Sequence, residues 1–207
     1  MVDIARAAQE AGSIRKARPG EVSKLAGVLA RSFYDDPPMS WVIADDARRV
    51  PLLERSFALY LRKLWLEQDE TYTTDNVAGV CVWDAPGQWK VGVLDQLRLL
   101  PSMARIFGRL LPRVLRGLAT LESNHPSEPH YYLPFVGVDP DWQGRGLGAA
   151  LMRPILDRCD EEKIPAYLEA SSPRNRALYE RHGFETTEEF TLGKGSPPVW
   201  RMWRVPQ

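Results

Sequence analysis

Three glycines at alternate positions, Gly144, Gly146 and Gly148, stand between an apolar run over residues 131–138 and a helical pattern that begins at Leu147. A strand, a glycine turn and a helix start make an anion site. The first backbone N–H groups of a helix have no intrahelical partner, the helix dipole favours negative charge, and residues without a Cβ let a phosphate approach the main chain. The chemistry this stretch points to is the binding of a phosphate-bearing cofactor. Further along, Asn175 and Tyr179 stand one helical turn apart, an amide beside a phenol able to donate a proton. Glu122, His125, Glu128 and His130 precede the apolar run and Asp84 ends an earlier one, so proton acceptors are also at hand.

Two common nucleotide sites can be tested against these residues. A P-loop carries Lys-Ser or Lys-Thr after its last glycine to reach terminal phosphates and magnesium, and here Ala149-Ala150 follows Gly148. A dinucleotide fingerprint is closer, since Gly144, Gly146 and Ala149 satisfy G-x-G-x-x-A and Glu169 ends the next strand, where a ribose-binding acid would stand. That fold, however, turns directly off its strand, whereas residues 139–143 separate Val138 from Gly144 here. It also needs further parallel βα units, and only a short helix and a hairpin remain after this one.

The elements that position these residues follow from periodicity. Residues 13–17 form a short strand candidate. Val22, Leu25, Val28, Leu29 and Phe33 recur at helical spacing until Pro37-Pro38 stops the pattern, which leaves Met39, Trp41 and Val42 in or just after a loop. A second helix is expected over residues 45–65, then strands over 71–74 and 77–83. Residues 91–121 carry leucines at helical spacing broken at Pro101 and Pro112, giving two or three helices. Their arginines, Arg98, Arg105, Arg109, Arg113 and Arg116, fit either a solvated face on a helical cover or a helix lying on a membrane surface. After the glycines, Leu147, Leu151, Ile155 and Cys159 make one stripe of a helix that Pro154 should bend. A strand over 166–170, a helix over 174–182 stopped by Gly183, and a hairpin over 184–192 and 199–205 complete an α/β chain with a mixed sheet. Gly137 is expected to mark a bulge in the central strand.

Gln143-Gly-Arg-Gly-Leu-Gly148, preceded by Val138-x-Pro140, resembles the Q-x-x-G-x-G/A motif of the GNAT N-acetyltransferases, and Asn175-Arg-Ala-Leu-Tyr179 with Gly183-Phe184 resembles their second signature. Glu128-Pro129, Leu168-Glu169-Ala-Ser-Ser-Pro173-Arg174-Asn175 and Tyr179-Glu-Arg are similar to the subgroup containing puromycin N-acetyltransferase. The resemblance implies a single acyltransferase domain over residues 1–207, with a central splayed mixed sheet flanked by helices and residues 91–121 as an inserted helical segment. It implies acetyl-CoA as cofactor and direct transfer of its acetyl group to a primary amine, on a small molecule such as an aminonucleoside-like antibiotic. A protein lysine or N-terminus as acceptor, and a non-catalytic acyl-CoA sensor, are the competing readings.

The same resemblance assigns roles. Gln143, Gly144, Arg145, Gly146, Leu147, Gly148 and Ala149 would hold the pyrophosphate. Main-chain groups of Val136, Gly137 and Val138 would pair with the pantetheine arm, and Asn175 would bind its amides. Tyr179 would meet the sulfur as general acid. Glu122 or His130, acting through water, are the favoured bases. Tyr34, Asp36 and Trp41, with Phe33 and Tyr60 nearby, would line the acceptor pocket, an acid among aromatics suited to a cationic amine.

Composition sets the outer limits. The 207 residues include 27 basic and 27 acidic side chains, so formal net charge is zero and no general attraction to nucleic acid or anionic lipid is implied. Cys81 and Cys159 form no C-x-x-C pair and three histidines have no metal spacing, so a metal-free mechanism and two buried apolar cysteines are expected. No leader-like start or membrane-length apolar run is present, which predicts a cytoplasmic protein, with monomer and homodimer both left open.

Overall fold

The computed structural model describes residues 11–207. The β-branched and aromatic runs pair into one sheet of seven strands. In chain order these are β1 (Ile14–Lys16), β2 (Thr71–Thr74), β3 (Gly79–Asp84), β4 (Tyr131–Val138), β5 (Ala166–Ala170), β6 (Glu185–Thr191) and β7 (Pro198–Arg204). They lie in the order β1-β2-β3-β4-β5-β7-β6. Every neighbouring pair is antiparallel except β4 with β5, so the mixed sheet has its single parallel contact at its centre.

Amphipathic helices cover both faces. One face carries α1 (Val22–Ser32), the short α2 (Pro37–Val42), α3 (Asp46–Tyr60) with a π-turn at Leu61–Trp65, and α4 (Val93–Phe107), which pack on Val80, Val82 and Phe135. The other carries α6 (Leu147–Glu162) and α7 (Pro173–Glu180), packed on Cys81, Trp83, Leu133 and Leu168. The stripe of Leu151, Ile155 and Cys159 is wholly buried, as its spacing demands. Gly183, at φ +83°, ends α7 in a Schellman arrangement: Phe184 N–H donates to Tyr179 O and Gly183 N–H to Glu180 O.

Three local expectations are corrected. α1 already ends at Ser32, ahead of Pro37-Pro38, and those prolines begin α2, because a proline in a helix's first turn has no intrahelical donor to lose and Asp36 caps the turn by accepting from Met39 N–H. Trp41 therefore lies on a helix. In the segment over 91–121, Pro101 sits inside α4, and the break comes at Gly108, whose φ of +52° leads into α5 (Leu111–Asn124) with Pro112 in its first turn. The expected solvated arginines, Arg98, Arg105, Arg109, Arg113 and Arg116, are all exposed, and Val93, Leu94, Leu97, Leu100, Leu115 and Leu118 are exposed among them. Finally, the bulge in β4 lies before Gly137. Val82 pairs with Phe135 but Asp84 with Tyr132, so β4 holds one extra residue around Leu133-Pro134, where proline has no N–H to lose from the ladder. Gly137 serves close packing instead, since a Cβ there would meet Ser32 Oγ at 2.2 Å.

Candidate active site

A central strand flanked by strands on both sides and helices on both faces should be buried along its length. In β4, Pro134, Phe135 and Val136 keep accessible surface. The cause is the pairing with β5, which holds only at Tyr131–Ala166 and Tyr132–Tyr167. Beyond that point the strands part, and main-chain groups of β4 that a parallel partner would satisfy face a gap. This is the splay expected around Val136, Gly137 and Val138, and an extended chain of amides can pair with such an edge.

The glycine turn lies at the mouth of this gap. Gly144 and Gly146 adopt φ of +76° and +79°, a left-handed conformation that side chains resist. A Cβ at Gly144 would meet nothing within 4 Å, so the turn is open rather than packed. Gly146 caps α6, which leaves the N–H groups of Leu147, Gly148 and Ala149 at the helix start. Gln143 Nε2 donates to Val138 O at 3.1 Å and fixes the turn to the end of β4. Arg31 pairs with Asp139 at 2.6 Å, tying α1 to the same corner, and the Arg145 guanidinium lies 5.2 Å from the Trp142 ring. A diphosphate fits an open cradle of this kind, with its donors supplied by backbone and its charge met by the helix dipole and Arg145.

Across the gap stands α7. Ser172 caps it by accepting from Asn175 N–H at 3.2 Å, and Asn175 Nδ2 donates to Ser171 Oγ at 3.1 Å. The Ser171 hydroxyl in turn bonds Asp36, from the corner between α1 and α2. Tyr179 is 8% exposed, packs edge-on to Phe184 at 6.0 Å and lies within electrostatic reach of Asp36. Burial, with the negative charge of Asp36 adding to it, raises the Tyr179 phenol well above its usual value, so it holds its proton at neutral pH. Burial likewise raises the Asp36 carboxyl to about 6, against the opposing hydrogen bonds from Ser171 and Met39 N–H. The structure thus brings together Asn175, Tyr179 and Asp36.

The other expected residues are distributed differently. Tyr34 lies under the Arg49 guanidinium, 5.0 Å from its ring, and its carbonyl accepts from Arg49 Nη1. Trp41 packs against Gly193 of the β6–β7 hairpin and under Arg113 of α5, whose Nη1 donates to Trp41 O at 2.9 Å. It joins α5 to the β6–β7 hairpin. Glu122 is on the outer side of α5, its side chain 41% exposed and paired with Lys90 at 3.0 Å. His130 is buried with both ring nitrogens engaged: Nδ1 lies 2.6 Å from Glu128 O and Nε2 lies 2.9 Å from His125 Nε2. A carbonyl only accepts, so His130 carries its proton on Nδ1 and His125 donates from Nε2. Burial lowers both imidazoles, His125 to about 3, and the pair stays neutral. Neither Glu122 nor His130 offers a free basic atom to the splay.

Two more buried acids lie on the central strands: Asp84, which was among the expected proton acceptors, and Glu169, which was not. Glu169, considered from sequence only as a ribose-binding acid, accepts from the Tyr132 and Tyr167 hydroxyls, both at 2.8 Å. Burial raises it to about 7 although Arg201 lies nearby. Asp84, in the strand on the other side of β4, is 4% exposed and is raised to about 7 by burial alone. The signal available in the sequence was the alternation Tyr167-x-Glu169, which puts a phenol and an acid on one face of a strand. Among the described residues no group of three or more His, Cys, Asp or Glu side chains is placed to hold a metal, and no helix is long and apolar enough to cross a membrane.

A mixed sheet splayed at its only parallel pair, with a glycine cradle and a buried tyrosine across the gap, defines an acyl-CoA-dependent acetyltransferase fold. The sequence profile of the Acetyltransferase (GNAT) family matches residues 31–184, and the chain belongs to that family. It is 28% identical to an uncharacterised N-acetyltransferase of Schizosaccharomyces pombe, over 90% of this chain and 81% of that protein. A segment covering 24% of this chain is 46% identical to 18% of a mycothiol acetyltransferase from Beutenbergia cavernae. Among solved structures, one described as histone acetyltransferase HPA2 and related acetyltransferase from Corynebacterium glutamicum superposes with a TM-score of 0.72 at 25% identity, over 94% of this chain and 96% of that one. Arylalkylamine N-acetyltransferase 2 of Aedes aegypti shares the fold, with a TM-score of 0.60 at 16% identity, over 94% and 98% of the two chains. The protein is therefore an acetyltransferase, and enzymes of this family use acetyl-CoA.

Proposed function

We propose that this enzyme acetylates the primary amine of a small, cationic molecule, with Asp36 receiving the amine and Tyr179 facing the cofactor's sulfur. The observation that carries the reading is the chain of hydrogen bonds from Asn175 through Ser171 to the buried Asp36, with the buried Tyr179 on the same helix as Asn175. Bound acetyl-CoA supplies an activated acetyl thioester and a thiol leaving group. The backbone N–H groups of Gln143 to Ala149 would bind its diphosphate with Arg145, while Val136, Gly137 and Val138 offer main-chain groups to the pantetheine arm and Asn175 its side-chain amide. Ser171 links Asn175 to Asp36 and so holds the cofactor side and the acceptor side in register.

An amine is protonated at neutral pH and must lose its proton to react. Asp36, raised to about 6, is ionised there; it attracts the ammonium and then accepts a proton from it. Tyr179 Oη keeps its proton at the opposite wall, available to a departing sulfur. Asp36 thus replaces Glu122 and His130 in the acid–base reading. Phe33 and Phe135, in edge contact at 5.4 Å, give the acceptor an apolar wall. An aminonucleoside, to which the likeness around residues 168–175 points, is one member of this class. A protein lysine would need an open groove, and Asp36 is enclosed by α2 and the start of α7.

The test is thiol release from acetyl-CoA with a panel of small amines, an aminonucleoside, and lysine-bearing and free N-terminal peptides. Turnover is expected with small amines and not with peptides. Preference for a peptide would overturn the acceptor class, and tight CoA binding without thiol release from any amine would leave a sensor.

A further inference from the structure

Helix α4 carries apolar residues on two sides, and its packing uses one. Leu99, Met103 and Phe107 recur every four residues and are buried against the core. Val93, Leu94, Leu97 and Leu100 lie on the other side; the first three are 72%, 69% and 60% exposed and Leu100 38%. Single exposed leucines are ordinary, but these stand within about two turns of one helix. At about 100° per residue they share one arc with Pro101 and Ala104, which are also exposed, and the arc holds no charged residue. Arg98 and Arg105 flank it along one edge. Asp95, the only acid of α4, falls outside the arc and pairs with Arg98 at 3.0 Å.

The arginine edge opens on a trough of about 680 Å³ between α1, α3 and α4. Its charged lining is Arg55, Arg62 and Arg105 with Glu54, and among the described residues no carboxylate pairs with any of the three arginines. Arg55 and Arg62 stand about two turns apart on one side, Arg105 on the other. Arg98 and Lys63 line a smaller depression next along α4, where Glu67 and Asp95 balance them. The chain is neutral as a whole, so the excess of positive charge is local. An uncharged apolar ridge beside unpaired guanidiniums matches a surface that is apolar and anionic together, and a bilayer with anionic lipids is one. A second copy of the chain, in a two-fold pairing of this face, would give the ridge leucines and the trough more arginines. We propose that α4 lies flat on anionic membranes, with the ridge from Val93 to Leu100 in the headgroup–acyl boundary and Arg55, Arg62 and Arg105 on lipid phosphates. The attachment is peripheral and independent of which amine accepts the acetyl group.

Binding of the full chain to vesicles is read by co-sedimentation, with phosphatidylcholine alone and with phosphatidylcholine mixed with phosphatidylglycerol. The partition coefficient should be about tenfold or more higher on the anionic vesicles and fall as salt is raised. Leu94→Gln with Leu97→Gln should lower it by about tenfold or more, because apolar area is withdrawn from the bilayer. Arg62→Gln with Arg105→Gln should remove the preference for anionic vesicles and leave the weak binding to neutral ones unchanged. All four side chains are exposed, so both variants should keep the wild-type Tm and, without lipid, the wild-type rate of thiol release from acetyl-CoA. No binding to anionic vesicles, or binding that either pair of substitutions leaves unchanged, overturns the proposal. So does a dimer in the absence of lipid, seen by sedimentation velocity, that the leucine variant dissociates, since a second copy then covers the ridge.

Discussion

At the scale of single residues, the proposed division of the chemistry between Tyr179 and Asp36 gives each its own signature. Tyr179→Phe removes one oxygen from a buried ring and leaves the glycine cradle untouched. We expect kcat to fall by roughly 10²- to 10⁴-fold, the usual contribution of a general acid or base, with little change in the CoA dissociation constant measured by calorimetry. Equal kcat in the two proteins would remove Tyr179 from the reaction. For Asp36 the readout is pH. Its carboxyl is raised to about 6, so kcat/KM should decline as pH falls through 6 and the base takes up a proton. Asp36→Asn should be slow at every pH and lack this acid limb. A limb that persists unchanged in the variant assigns the titration elsewhere.

At the scale of elements, the close contact between α1 and β4 sets the geometry of the gap. Gly137 allows it: a Cβ there would lie 2.2 Å from Ser32 Oγ and 3.1 Å from Leu29 Cδ2. Gly137→Ala must push α1 outward or strain β4, at a cost of about 1–3 kcal/mol by the usual penalty of overpacking. Adding Ser32→Gly removes the clashing hydroxyl and should restore part of that stability, which urea unfolding of the two single variants and the double variant would measure. Additive losses would show that Gly137 is needed for its conformation and not for the contact. The helices α4 and α5 matter at this scale as well. Through Arg113 and Trp41 they brace α2, and α2 is the helix capped by Asp36.

For the molecule as a whole, three raised carboxyls, Asp36, Asp84 and Glu169, couple stability to pH. The unfolded chain releases these protons near pH 4, while the folded protein keeps them until pH 6 to 7. Between those limits the folded state binds more protons, so their contribution lowers stability as pH rises from about 4 to about 7. Asp84→Asn removes one such group. Its unfolding midpoint in urea should exceed that of the wild type at pH 8 and converge with it near pH 4. A variant less stable than the wild type at pH 8 would mean that Asp84 has a stabilising partner.

The sequence by itself determined what depends on neighbours along the chain. Helical stripes such as Leu147, Leu151, Ile155 and Cys159 record a buried face directly. The glycine turn was legible because positive φ at Gly144 and Gly146 leaves few other choices, and Asn175 with Tyr179 because both lie on one short helix. Tertiary structure decided what depends on strands distant in sequence coming side by side. The splay arises where β4 and β5 stop pairing after Tyr132, beside the bulge at Leu133-Pro134, and Pro134 alone did not show which neighbouring strand would part there. Asp36 was legible as an acid beside aromatics, but its burial and its bond to Ser171 join residues far apart in the chain. Glu122 and His130 looked suitable because charge and imidazole are chemically able. Only the fold shows that one is spent on Lys90 at the surface and the other on two neighbours in the interior. The state of a proton acceptor depends on burial and partners, and both are properties of the assembled sheet.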